Sequence, residues 1–105
     1  MDKLLSIIAD IDLPSAYDHF AKNESPDPPF IVFLTPESNN FSADGKVYYH
    51  ISEAHIELYT DIKNPETERI IEEVLDAHDV FYDKSEVWIE SEQLYEVLYS
   101  FDLEG

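Results

Sequence analysis

From Leu94 to Leu103 the chain alternates strictly: Tyr95, Val97, Tyr99, Phe101 and Leu103 fall between Leu94, Glu96, Leu98, Ser100 and Asp102. A period of two held over ten residues is that of a strand with one buried face. A helix over Glu92 to Tyr99 is the competing reading, and the alternation favours the strand. Upstream, Val80 to Glu90 contains Phe81, Tyr82, Val87, Trp88 and Ile89, residue types that fit a pleated surface. The last third, about 80–103, therefore reads as a strand pair.

A strand pair needs other elements to cover it. Leu4, Leu5, Ile7, Ile8 and Ile11 follow helical spacing, Asp2 can cap the start, and Pro14 biases Leu13 out of the helical region. This predicts a helix over about 2–12. Ser15 to Phe20 alternates and suits a short strand. Residues 22–29, KNESPDPP, form a polar, proline-rich connection to Phe30-Ile31-Val32-Phe33-Leu34, a continuous apolar run. Such a run is buried on both faces, or on one face by the core and on the other by a neighbouring subunit.

Residues 36–45, PESNNFSADG, are rich in turn formers and hold one aromatic, Phe41. They read as a long, mobile loop, since connections of roughly 4–6 residues are usual. Lys46 to Asp61 is extended, with a change of phase near Ser52-Glu53 that predicts a bulge or a bend in one long strand. Asn64-Pro65 opens a second helix over about 65–78, with Glu66 and Glu68 in its first turn and Ile70, Ile71, Val74 and Leu75 as its buried stripe. The whole is a single α+β domain over 1–105: a mainly antiparallel sheet with two helices packed on it.

Charge decides which partners fit. With 24 acids against 6 bases the formal charge is −18, which repels phosphate and anionic membrane surfaces, so tight nucleic-acid or membrane binding is not expected. Hydrophobic residues at 44% are too many for a disordered acidic tail. With no cysteine there is no disulfide, thiolate metal site or cysteine nucleophile. The segment MDKLLSIIAD lacks a signal peptide's basic start, and no apolar run reaches the roughly 18 residues of a membrane span. A soluble intracellular protein is the expectation.

Catalytic chemistry is sparsely provided for. Two glycines, Gly45 and Gly105, cannot build a phosphate-cradling loop. His50 and His55 differ in parity along an extended segment, so a metal site with Asp44 or Asp61 has no recognised ligand spacing. The carboxylates of Glu66, Glu72, Glu73 and Asp76 fit a solvated helix face better than an acid–base pair. No serine lies in a nucleophile-elbow context, and Arg69 is the single arginine. The expectation is no enzyme and no cofactor. Seven tyrosines leave two readings: all half-bury on an open sheet, or one sheet face or edge is an assembly surface, since Tyr48 and Tyr49 point to opposite faces of one strand. Phe41, Asn39, Asn40, Asp44, Tyr48 and Tyr49 are the candidate interface residues, with Phe41 as anchor; the alternative is that Phe41 folds back onto its own sheet.

In order, these segments resemble the small neck proteins of long-tailed bacteriophages, of the tail terminator or tail-completion class, in the versions carried by phages and prophages of Gram-positive bacteria. The resemblance runs through the amphipathic N-terminal helix, Leu13-Pro14-Ser15-Ala16-Tyr17, Pro28-Pro29-Phe30-Ile31-Val32-Phe33 and the polar stretch Asn39 to Lys46. It continues through the strand ending Ile56-Glu57-Leu58-Tyr59-Thr60, the helix opened by Asn64-Pro65-Glu66, and the terminal strands ending Leu94 to Tyr99. It implies a protomer that joins five others in a hexameric ring. The ring caps the tail tube, contacts the major tail protein and docks on the head-completion or connector protein, first in the host cytoplasm and then in the virion. A head-closure protein of the same neck is an alternative. An acidic DNA mimic, such as an anti-restriction protein, is another, since residues 64–105 hold 13 acids against 2 bases. A metal-dependent enzyme is a third.

Overall fold

The computed structural model describes the backbone of residues 2–21, 24–35, 38–43 and 46–104, and the side chains of residues 3–21, 24–35 and 53–103. Two helices, α1 (Asp2–Asp10) and α2 (Pro65–Ala77), lie with six strands. The strands are β1 (Ser15–Tyr17), β2 (Phe30–Leu34), β3 (Ser38–Ala43), β4 (Lys46–Thr60), β5 (Tyr82–Ile89) and β6 (Leu94–Glu104). The sheet runs β1-β2-β4-β6-β5, with β3 also on β4. Only β1 and β2 pair in parallel; every other described pair is antiparallel. The architecture is α+β.

Alternation divides the sheet into two unlike faces. Ile31 and Phe33 of β2, Ala54, Ile56 and Leu58 of β4, and Val97, Tyr99, Phe101 and Leu103 of β6 are buried together under the helices. Onto them α1 lays Leu4, Ile7, Ile8 and Ile11, the i, i+3, i+4, i+7 stripe of a helix with one apolar face. Leu5 departs from that expectation and is exposed, because it lies off this stripe. α2 adds Ile71 and Leu75, while Ile70 faces outward. Each of these side chains, fully buried, contributes about 1.5–3 kcal/mol of transfer free energy.

The ends of α2 follow their sequence signals. Asn64 Oδ1 accepts from the Thr67 N–H at 3.2 Å, and Pro65 occupies the first turn, where its missing N–H costs nothing. At the other end the Val80 N–H donates to the Leu75 carbonyl at 3.0 Å while Asp79 takes a left-handed φ of 57°. His78 Nε2 lies 2.7 Å from Asp10 Oδ2 and ties the C-terminal ends of the two helices together.

Two expectations are corrected by strand pairing. The loop expected over 36–45 is a strand across Ser38–Ala43, paired with β4 from Ser38↔Ser52 to Ala43↔Lys46. Ile51 and Ser52 pair with β6 as well, so β3 lies on the side of β4 away from β6, in line with β2. β2, β3 and β4 thus make one long hairpin in which Lys46–His50 have β3 as their described partner. A polar segment with few apolar residues can be extended here because backbone pairing along β4 satisfies its N–H and C=O groups. The bulge moves too. β4 holds an unbroken register with β6 from Ile51 to Thr60, and the shift lies where Phe41↔Tyr49 gives way to Ser42↔Val47, which leaves Tyr48 as the extra residue.

Candidate interaction surfaces

The residues proposed from the sequence as an interface are brought together in part. Phe41 is the cross-strand partner of Tyr49, Asn40 of His50 and Asn39 of Ile51, and Tyr48 sits at the register shift. Asp44 lies outside the described residues. The segment 38–52 carries one acid and one base in a chain of charge −18. Near-neutral, it adds little repulsion toward another acidic surface.

The helix-covered face holds a compact ionic cluster. Lys84 Nζ lies 2.8 Å from Glu68 Oε1 and 2.7 Å from Glu72 Oε2, and Lys63 Nζ lies 2.8 Å from Glu68 Oε2 and also contacts Glu86. The Glu68 side chain is 6% exposed, so these two ammonium groups replace the water it has lost. Burial alone raises a carboxyl pKa; for Glu68 and Glu72 the hydrogen bonds from lysine and, for Glu72, from Tyr99 outweigh it and the pKa values fall. Burial pulls Lys84 down, but its bonds to Glu68 and Glu72 win and push it up to about 12. Burial and the neighbouring carboxylates together raise the Tyr99 hydroxyl, so it stays a donor. These groups fasten α2 to β5 and β6.

Both described helices lie on the face that carries this cluster; among the described residues no helix covers the opposite face of the sheet. Phe30 and Val32 are buried there, and Glu53, His55, Glu57, Tyr59, Leu94, Glu96 and Leu98 are half-buried. The Tyr59 hydroxyl donates to Glu57 Oε1 at 2.9 Å and lies 3.3 Å from Glu96 Oε1. Burial raises the Glu57 pKa, the bond from Tyr59 offsets part of this, and the charge of Glu96 adds to it. The Tyr59 ring stacks on Phe30, centroids 5.2 Å apart and planes at 23°, and Phe20 meets Phe30 edge-on at 5.3 Å. Beside them Pro26, Pro28, Phe30, Tyr59 and Leu94, with Ser25 and Glu92, line an open groove of about 440 Å³. The Pro28-Pro29 bond on its rim is cis.

Sequence reasoning missed Phe81. It is 96% exposed, between α2 and β5, bordering hollows lined by Asp76, Asp79 and Val80 on one side and by Glu53, Asp83, Ser100 and Asp102 on the other. The sequence places it in a strand-like stretch, but β5 begins only at Tyr82. Trp88, 40% exposed, packs on Tyr95 with centroids 4.7 Å apart and donates from Nε1 to Glu90 Oε2 at 2.7 Å. Among the described residues no three His, Asp or Glu side chains are placed to hold a metal ion, and no helix is long and apolar enough to cross a membrane.

No protein-family model matches the sequence, and no curated protein matches it. Among solved structures the chain is similar to one in the virion of a native gene transfer agent particle. The TM-score is 0.62 at 12% sequence identity, over 99% of this chain and 90% of that one. At that identity the likeness is one of fold. It extends over nearly the whole of both chains.

Proposed function

We propose that this chain is a structural protein of a phage-like virion, acting in the neck as a tail terminator. In this reading six copies form a ring that caps the tail tube, contacts the major tail protein and meets the head-completion or connector protein. The observation that carries it is the end-to-end fold likeness to a chain of an assembled virion. The electrostatics agree, because an acidic ring around a channel repels the DNA passing through it. The hairpin of β3 and β4, near neutral and carrying Phe41, Tyr48 and Tyr49, supplies the contact between copies and adds little like-charge repulsion there. The role needs no catalysis and no cofactor.

The test is electron microscopy of tails assembled with and without this chain. A discrete ring at the head-proximal end, present only with the chain, and tubes of unregulated length without it, are the expected result. Chain distributed along the tube, or particles that lose heads while tail length is preserved, would replace the terminator with a tube or head-closure protein.

A further inference from the structure

The two faces of the sheet repeat one arrangement with a difference. Under α2, Tyr99 donates to Glu72 beside Glu68, and Lys63 and Lys84 neutralise the two carboxylates. On the uncovered face Tyr59 donates to Glu57 beside Glu96, and no lysine or arginine among the described residues reaches either one. The described strand residues of this face, read by alternation, add Glu53, Asp83 and Asp102 and no lysine or arginine; His55 is there too, bonded to Glu53 at 2.8 Å. Next to the pair lies the groove floored by Phe30 and Tyr59 and walled by Pro26, Pro28 and Leu94.

We propose that this uncovered face docks a basic protein surface, with an arginine side chain of the partner laid along the groove and its guanidinium set between Glu57 and Glu96. Charge complementarity selects the occupant. A second copy brings −18 and has two of its six cations already committed to Glu68, Glu72 and Glu86, so it is the wrong partner for this face. Nucleic acid is repelled outright. A guanidinium fits better than an ammonium because its planar fork bonds two carboxylates at once and stacks on an aromatic ring. The aliphatic stem covers Leu94 and the prolines. The inference does not rest on the ring reading, since a monomer presents the same face.

Titration of the uniformly ¹⁵N-labelled chain with hexa-arginine peptide at physiological salt tests it. Amide shift changes centred on Glu57, Tyr59, Leu94 and Glu96 are expected. The double variant E57Q/E96Q should weaken binding by about tenfold, and the charge-matched E66Q/E73Q, on the outer face of α2, by less than about threefold. Equal weakening by both pairs, or shift changes spread over α2, would reduce the effect to diffuse charge and overturn the proposal. The mapping uses the unaltered chain, so it decides even if a variant misfolds. Sedimentation that showed a dimer dissolved by E57Q/E96Q would assign the face to a second copy and overturn it as well.

Discussion

The Tyr99 hydroxyl donates to Glu72 Oε2 at 2.8 Å, a contact between the middle of β6 and the second turn of α2. Tyr99 is fully buried and its hydroxyl also lies 3.4 Å from the Glu68 carbonyl, so the ring and its polar tip are held by different things. Y99F keeps the ring and removes the tip. Glu72 retains Lys84, so no carboxylate is orphaned, and the expected cost is about 1 kcal/mol. For a domain of this size that lowers the melting temperature by roughly 4–8 °C, read by circular dichroism. An unchanged melting temperature would mean the bond adds nothing to helix docking.

Lys84 is the larger lever. K84M keeps the apolar stem over Tyr99, whose ring centroid is 5.8 Å from the ammonium, and deletes the charge. Glu68 then keeps only Lys63. The expected loss is about 2 kcal/mol, below the roughly 3–5 kcal/mol of a fully buried pair because Lys84 is partly solvated. The pH dependence has a definite sign. Glu68 and Glu72 titrate below their ordinary range when folded, so their stabilisation is present above the unfolded pKa and disappears as pH falls through the folded values. Lys84 stabilises fully below its ordinary 10.5 and loses this as pH rises through about 12. Urea denaturation at neutral and acid pH should show a smaller acid loss in K84M than in the unaltered chain.

Glu57 has the opposite sign. Its folded pKa is raised, by burial first and by Glu96 and Asp18 as well, against the bond from Tyr59 and the charge of His55. The ionised form is therefore a cost to the fold above the folded pKa, relieved as pH falls through it. E57Q removes that cost and keeps an acceptor for Tyr59. It should raise the urea midpoint at neutral pH and leave it unchanged at acid pH, where Glu57 is already protonated. A lower midpoint at neutral pH would show that the ionised carboxylate is stabilising.

The sequence was most legible where one face of an element is apolar over its whole length. The alternation from Tyr95 to Leu103 and the α1 stripe of Leu4, Ile7, Ile8 and Ile11 each determine an element and its buried side, because burial repeats at a fixed period. It was least legible across 36–45, where Asn, Ser, Asp and Gly look like loop formers and the pairing partner, β4, decides otherwise. Asp44-Gly45 between two extended stretches is a hairpin signal, and it carries more information than the polar composition around it. The cluster of Lys63, Lys84, Glu68 and Glu72 was not legible at all. It depends on where α2 lands on β5, which no local pattern encodes. The Glu57–Tyr59–Glu96 arrangement, spanning 37 residues from Tyr59 to Glu96, is hidden for the same reason.

Phe81 offers the cleanest separation of stability from assembly. At 96% exposure its ring is almost entirely in water, so F81S removes no buried contact and should leave the unfolding free energy within about 0.5 kcal/mol. Solubility should rise slightly, because the exchange removes a large exposed apolar side chain. In a neck protein such a ring is instead an anchor for a neighbour, and aromatic residues carry a large share of binding energy at interface centres. The variant should therefore fold as well as the unaltered chain and complete fewer tails, counted as the fraction with a terminal ring in electron micrographs. Tail completion at the unaltered level would exclude Phe81 from the contact and leave the β3–β4 hairpin and the exposed rings of Trp88 and Tyr17 as aromatic candidates. A lost melting transition would mean that the ring packs in the folded state after all.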